Sequence, residues 1–126
     1  MAEIEGRLLT EKVGEVSVIS FRDSQLRHQG LIERVGKELL ELVSDRYKAF
    51  VVVNMENLEY FSSSMLGRLV AAHKKVVEGK GRMCLCAIRP VILEVFKITK
   101  MDKVFEIHPS VAAAVTELAK TAGRGT

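Results

Sequence analysis

Three consecutive hydroxyl side chains are the groups best placed to do chemistry in this chain. Ser62, Ser63 and Ser64 stand between a β-branched run and a segment whose apolar residues recur every three or four positions. The residues that follow this spacing on one helical face are Leu66, Leu69, Val70, His73 and Val77. A helix therefore begins at or just after the serines. Because the first N–H groups of a helix lack partners within it, the serines are either helix caps alone or phosphoacceptors.

The histidines do not form a recognisable catalytic constellation. His28, His73 and His108 are dispersed, and the chain has no HExxH, P-loop, Gly-x-Ser-x-Gly or dinucleotide-binding motif. His73 lies on or beside the apolar face of the predicted helix, where a packed histidine is commoner than a catalytic one. We therefore expect no enzymatic activity and no cofactor.

The cysteines indicate neither a disulfide nor a metal site. Cys84 and Cys86 are the two cysteines of the chain and lie on one face of a predicted strand. Their expected separation is near the upper limit for a disulfide, and no further metal ligands cluster nearby. We expect two buried, reduced thiols, no metal, and a reducing compartment, the cytoplasm.

Length and composition favour one globular domain over residues 1–126, with frayed ends at 1–6 and 121–126. The chain is 48% hydrophobic and 28% charged, and no apolar run approaches the roughly 20 residues of a membrane span. The amino terminus is acidic where a secretory signal would be basic, so we do not expect export. A net charge of +3 is too small to indicate a nucleic-acid partner.

The elements that position the serines alternate between strands and helices. Two short strands at 7–12 and 15–21 flank Gly14, a polar loop covers 22–30, and an amphipathic helix follows from Leu31. The run 48–54 predicts a central strand covered on both faces, and the serine-led helix ends near Glu78. A strand at 83–87, a helix from Pro90, an edge strand at 104–107 and a last helix capped by Ser110 complete the order.

This order predicts an α/β fold with a mixed sheet of four to five strands and about four helices, opening with an antiparallel pair. The expected core comprises Val51, Val52, Val53, Met83, Leu85, Leu66, Leu69, Val70 and Val77. The order and the serine run together resemble the STAS family, the sulfate transporter and anti-sigma factor antagonist domain. Residues 61–67 match its pattern of an apolar residue, Asp, Ser, Ser or Thr, a small residue, Leu and Gly, with Ser62 replacing Asp and Met65 replacing the small residue. Residues 79–86, 88–96 and 101–107 are also similar.

The resemblance implies that Ser63 is phosphorylated by a partner that is both an anti-sigma factor and a serine kinase of the histidine-kinase-like ATPase type. Ser62 is the lesser alternative. In the family, unphosphorylated antagonist binds the kinase and frees the sigma factor, and phosphorylation abolishes binding. Asp23 matches an acidic position in a loop that is longer than usual. The residues expected to contact the partner are Asp23, Ser62, Ser64, Met65 and Arg68.

A second function is compatible with the same resemblance. The chain would then be a STAS scaffold or adaptor that joins other STAS or signalling proteins without being phosphorylated. ATP-dependent modification by a partner distinguishes the two functions. Neither the residues nor the resemblance indicates an oligomeric state.

Overall fold

The computed structural model describes residues 3–44 and 46–124, which form eight strands and four α-helices. The strands are β1 (Glu3–Glu5), β2 (Leu8–Val13), β3 (Val16–Phe21), β4 (Gln25–Leu26), β5 (Phe50–Asn54), β6 (Tyr60–Phe61), β7 (Arg82–Cys86) and β8 (Glu106–His108). The helices are α1 (Gln29–Val43), α2 (Ser63–Glu78), α3 (Pro90–Ile98) and α4 (Val111–Arg124), with a 3₁₀ turn at Met101–Lys103.

The main sheet is mixed and has the strand order β1-β2-β3-β5-β7-β8. β1, β2 and β3 pair antiparallel, and β3, β5, β7 and β8 pair parallel. Gly14, at a φ of 62°, makes the tight turn between β2 and β3, whereas the parallel strands are joined by helical crossovers. The predicted mixed sheet, antiparallel opening and four helices are confirmed. The sheet has six strands because residues 3–5 add one at its edge.

Both ends of the described chain are more regular than predicted. Fraying was expected at 1–6 and 121–126, but Glu3–Glu5 pairs with β2 and α4 continues to Arg124. Thr121 in that last turn accepts a hydrogen bond from the Arg82 guanidinium of β7, which holds the helix end against the sheet. Residues 1, 2, 125 and 126 lie outside the described part of the chain.

The core consists of two apolar layers, one on each face of the sheet. α1, α2 and α3 cover one face, onto which Val51 and Val53 of β5 point, while α4 covers the other, onto which Val52 points. β5 is therefore buried on both faces, as its β-branched run predicted. Cys84 and Cys86 lie in the α4 layer, and both are fully buried, free thiols.

Most of the predicted core residues are buried, but Val77 is not. Leu66, Leu69, Met83 and Leu85 are buried and Val70 is partly buried, whereas Val77 is 53% exposed. The face of α2 that meets the sheet comprises Met65, Leu66, Leu69, Ala72 and Val76. Because successive helical residues are rotated by about 100°, burial of residue 76 turns residue 77 toward the side of the helix.

Most strand boundaries differ from the sequence prediction by one or two residues, and the differences around α1 and β8 are accompanied by additional short elements. α1 begins at Gln29 rather than at Leu31, and the loop at 22–30 contains the short strand β4. The predicted edge strand at 104–107 is instead β8 at Glu106–His108, since a 3₁₀ turn occupies the preceding residues. Ser110 caps α4 as predicted, because its Oγ accepts a hydrogen bond from Ala113 N at 3.1 Å.

Candidate functional site

The serine run lies where β6 leads directly into α2. Ser62 is the residue before the helix, with extended backbone angles of φ −86° and ψ 167°, and its carbonyl accepts a hydrogen bond from Met65 N at 3.0 Å. The sequence therefore placed a serine at this N-terminus correctly. The predicted capping bond is absent, however, because the Ser62 side chain makes no hydrogen bond to the first turn. Its Oγ is buried and has no hydrogen-bond partner among the described residues.

Ser63 and Ser64 are the first two residues of α2, and both are exposed. The first turn of α2 contains no acidic residue, so none of its own side chains neutralises the positive end of the helix dipole. An anionic group on either hydroxyl would lie close to unpaired backbone N–H groups. Of the three serines, Ser62 is thus the least accessible and Ser63 and Ser64 are open to another molecule.

A two-stranded parallel ribbon fixes the surface next to the serines. β4 pairs with β6, with Gln25 opposite Tyr60 and Leu26 opposite Phe61. Continuing this register places Arg27 level with Ser62. The Arg27 guanidinium lies 4.1 Å from the centre of the Tyr60 ring, and Arg27 Nε donates to Gln25 Oε1 at 2.8 Å. An exposed cation and a partly exposed aromatic ring therefore flank the start of α2.

Backbone contacts hold the loop of β4 in this position. Asn57 Nδ2 donates to the carbonyl oxygens of Phe21 and Arg22 at 3.3 and 2.9 Å. The backbone N–H groups of Glu59 and Tyr60 both donate to the carbonyl oxygen of Ser24, the residue before β4, at 2.7 and 3.2 Å. The loop at 22–28 and the segment that enters α2 consequently form one continuous surface.

Asp23 lies farther from the serines than the sequence suggested. It precedes β4, and since an extended chain advances about 3.3 Å per residue, the ribbon places it several residues away from the level of Ser62. Its Oδ1 is 3.6 Å from Arg7 Nη1, and its Oδ2 is buried without a hydrogen-bond partner in the described part of the chain. Arg27, which sequence reasoning missed, directly follows β4, and its guanidinium packs over the Tyr60 ring two residues before Ser62.

Met65 was expected to contact a partner, but its side chain is not accessible in this structure. Met65 is fully buried, because it lies on the same face of α2 as Leu69 and Ala72. A partner that reaches this turn would meet the residues on either side of it and not the methionine. Its bulk fills the core at the position where the family pattern has a small residue.

Arg68 is partly buried in a groove between α1 and α2. Its aliphatic stem packs over Gly36, where a Cβ atom would lie 2.7 Å from Arg68 Cδ. The groove encloses about 350 Å³ and is lined by Glu33, Gly36, Lys37, Leu40, Arg68 and Ala71. Arg68 therefore lies beside the candidate surface, on the flank that faces α1.

The remaining reactive groups have structural surroundings. Burial raises the pKa of Cys84 to about 12 and that of Cys86 to about 11, which keeps both thiols protonated at neutral pH. His73 packs its ring 5.3 Å from that of Phe105, as its place beside the apolar face predicted, and burial lowers its pKa. Within residues 3–44 and 46–124, no group of three or more His, Cys, Asp or Glu could hold a metal ion.

An ion pair joins β7 to β8 on the face of the sheet that α4 covers, and Arg82 Nη2 also lies 3.6 Å from Glu117 Oε2 of α4. Arg82 donates to both carboxylate oxygens of Glu106 at 2.8 and 2.6 Å, and His108 Nε2 lies 2.7 Å from Glu106 Oε2. Burial alone would raise the pKa of Glu106, but the hydrogen bonds from Arg82 and His108 outweigh it and lower the pKa. Both carboxylate oxygens of Glu106 already accept hydrogen bonds, so we interpret this bidentate pair as a contact that stabilises the fold.

No helix among the described residues is both long enough and apolar enough to cross a membrane. The sequence-family model of the STAS domain matches residues 10–114 of the chain. An anti-sigma F factor antagonist of Paenibacillus polymyxa is 24% identical over 86 residues, which cover 68% of this chain and 74% of that protein.

Solved structures agree with this match. An anti-sigma-factor antagonist (STAS) domain protein from Planctomyces limnophilus superposes with a TM-score of 0.79 at 25% identity, over 88% of this chain and 96% of that one. The Bacillus cell fate determinant SpoIIAA in its phosphorylated form shares the fold, with a TM-score of 0.64 at 19% identity over 87% of this chain and 97% of that one. The family model covers most of the chain and these structures share its architecture, so this chain belongs to the STAS domain family.

Proposed function

We propose that this chain is a regulatory binding protein of the anti-sigma factor antagonist type, which docks an anti-sigma factor kinase and is switched by phosphorylation of Ser63. The proposal rests on one observation: Ser63, the first residue of α2, is exposed, whereas the hydroxyl of the preceding Ser62 is buried. A kinase must reach the hydroxyl that it modifies, which favours Ser63 over Ser62. The similarity to an anti-sigma F factor antagonist supports the same function.

The position of Ser63 suits a switch that leaves the fold unchanged. A phosphate adds about −1.5 to −2 charges, and the N-terminus of a helix attracts such a group. No acidic side chain in the first turn of α2 opposes it. The same charge would repel carboxylates of a docked partner, so phosphorylation would release the partner without unfolding the antagonist.

The docking surface in this proposal comprises the first turn of α2 and the β4–β6 ribbon. Ser63 and Ser64 supply exposed hydroxyls, and Arg27 and Tyr60 supply a cation and an aromatic ring of the kinds enriched at protein interfaces. Arg68 and Asp23 flank this surface. Arg27 adds positive charge, so the complementary partner surface is acidic, which is the surface that a phosphate on Ser63 would repel.

The scaffold function remains the second candidate, and one observation favours it. The residue before Ser63 is a serine whose hydroxyl is buried, so no carboxylate stands beside the proposed phosphoacceptor. If presentation of the serine to the kinase needs that carboxylate, the domain would bind its partners without being modified. The same exposed surface would then serve as a constitutive docking site.

Binding measurements with charge variants test the switch. The partner is first isolated by pull-down from native lysate and identified by mass spectrometry. Ser63→Asp should then weaken its affinity by about tenfold or more, since a negative charge enters the centre of the interface. Ser63→Ala should bind like the unmodified protein, and Thr116→Asp, at an exposed position of α4 on the other face of the sheet, serves as a matched charge control. Equal affinity of the Ser63→Asp and wild-type proteins would contradict the proposal.

A further inference from the structure

The end of the molecule opposite the serines carries an excess of positive charge. α2 is 16 residues long, so its last turn lies about 20 Å from Ser63. Residues 74–80 and 97–104, at the ends of α2 and α3, contain six lysines and only two carboxylates, Glu78 and Asp102. This excess of four charges is larger than the net charge of +3 on the whole chain. These two segments are called the basic end below.

Three aliphatic side chains are exposed within the basic end. Val77 is 53%, Ile98 77% and Val104 44% exposed. Val77 lies one turn after His73, whose ring is 5.3 Å from that of Phe105, the residue that follows Val104. The packing of α2 against the segment after α3 thus places Val77 and Val104 at the same end of the molecule, in segments that contain six lysines.

Two of the lysines occupy backbone positions that favour glycine. Lys80 and Lys100 directly follow α2 and α3 in the left-handed region, with φ of 65° and 62°. After the cap residue of α2, the N–H groups of Lys80 and Gly81 donate hydrogen bonds to carbonyl oxygens in the last turn of the helix. Helices that end in this way usually have glycine at the position that Lys80 occupies. Attraction to the helix dipole explains Lys75 and Lys97 in the last turns. It does not explain lysines at the two strained positions.

The ammonium groups of the basic end are largely available. Among the described residues, Lys75 is the one lysine of the six that makes an ion pair, with Glu78 at 3.8 Å. Interfaces between proteins are depleted in lysine and enriched in arginine and aromatic residues. The two segments contain lysine and aliphatic residues, and Arg46 and the exposed ring of Tyr47 line the neighbouring surface beside Lys75 and Gly79. This combination of abundant lysine, exposed aliphatic groups and an amphipathic tyrosine ring fits the interface of an anionic membrane.

We propose that the basic end docks on a lipid bilayer with anionic headgroups. Lysine side chains can extend along apolar groups while their ammonium groups reach the headgroup phosphates. Val77, Ile98 and Val104 would enter the boundary between headgroups and acyl chains, and the lysines around them would supply electrostatic attraction. The serine surface at the other end would still face away from the bilayer, so this inference does not depend on the switch at Ser63.

Vesicle binding by glycine variants tests the electrostatic part. Lys80→Gly and Lys100→Gly each remove one charge and relieve a left-handed backbone, so both variants should stay folded. Each should lower partitioning onto phosphatidylcholine vesicles that contain phosphatidylglycerol by about fivefold in a cosedimentation assay at low salt. Lys120→Gln, an exposed charge on α4 at the other face of the sheet, should leave partitioning unchanged.

Fluorescence tests the apolar part. The chain contains no tryptophan, so Ile98→Trp introduces a single indole at the basic end. Its emission should shift to the blue with phosphatidylglycerol vesicles and stay unchanged with pure phosphatidylcholine vesicles. Val91→Trp is the matched control, because residue 91 lies at the other end of α3 and is 64% exposed. Its emission should not shift.

Three results would overturn the proposal. The first is equal partitioning onto neutral and anionic vesicles, and the second is an effect of Lys120→Gln as large as that of Lys80→Gly. The third is an equal emission shift for indoles at residues 98 and 91. If polyglutamate retains the protein through Lys80 and Lys100 while anionic vesicles do not, this surface belongs to an acidic protein partner instead.

Discussion

Ser62, Ser63 and Ser64 are chemically identical, yet helix geometry gives them different environments. Ser62 precedes α2 and turns its hydroxyl inward, while the next two residues lie on the exposed side of the first turn. The sequence predicted that a serine would occupy this helix end. It could not show which hydroxyl is buried, because that depends on how β6 approaches the core.

Ser62→Ala should leave the free energy of unfolding unchanged or raise it by up to about 1 kcal/mol. The buried Ser62 hydroxyl makes no hydrogen bond in the described structure, so its removal costs no bond and relieves a desolvated polar group. Ser110→Ala is the matched comparison and should cost about 1 kcal/mol, because it removes a cap bond. Urea denaturation measures both. Equal losses would show that Ser62 does cap α2.

Ser63→Ala should change the free energy of unfolding by no more than about 0.5 kcal/mol. Ser63 is exposed and lies after the cap position, so no cap is lost. Thermal denaturation measures the stability of the variant, and a parallel binding assay measures its affinity for the partner. If the substitution barely changes stability, a change in the affinity of position 63 variants reports on the interface. A loss of several kcal/mol would point to a structural role for this hydroxyl.

At the scale of the elements, periodicity predicted the long helices and central strands well and the short ribbon not at all. β5 was recognisable because Val51, Val52 and Val53 form an uninterrupted β-branched run. β4 and β6 have two residues each, too few for a period, and their pairing joins positions 35 apart in the sequence. The contact between Arg27 and Tyr60 depends on that pairing, so the residues alone carried no signal for it.

Leu69→Ala should destabilise the fold by about 2 to 5 kcal/mol, whereas Val77→Ala should cost less than about 0.5 kcal/mol. Leu69 is fully buried between α2 and the sheet, and Val77 is mostly exposed on the same helix. Urea denaturation of the two variants provides the comparison. Similar losses would mean that α2 is rotated relative to the orientation described here.

At the scale of the whole molecule, the chain has distinct ends and distinct faces. The proposed docking surface lies at the start of α2, and the basic end lies where α2 and α3 finish. Three helices cover one face of the sheet and α4 alone covers the other, where Arg82 of β7 contacts Thr121 and Glu117 of α4. Overall charge predicted none of this division, because a net charge of +3 averages over both ends.

The ion pair between Arg82 of β7 and Glu106 of β8 should make stability depend on pH in the acid range. The pKa of Glu106 in the folded protein lies below its ordinary value of 4.5, so this carboxylate stabilises the fold above that value. The contribution is lost as the pH falls through the lowered pKa. Glu106→Gln should cost about 1 to 3 kcal/mol at neutral pH, with a smaller difference from wild type in strong acid. Urea denaturation across this range measures the effect, and a difference that does not shrink in acid would contradict it.

The central claim is that Ser63 is the regulatory phosphoacceptor, and site mapping after reaction with the partner kinase tests it most directly. The isolated kinase and ATP are incubated with wild-type, Ser63→Ala and Ser64→Ala proteins, and modified residues are identified by mass spectrometry. We predict one phosphate on Ser63 in the wild-type and Ser64→Ala proteins and none on Ser63→Ala, with loss of kinase binding on modification. Phosphorylation elsewhere, or none by a kinase that binds the protein and is active, would contradict the switch and leave the scaffold function.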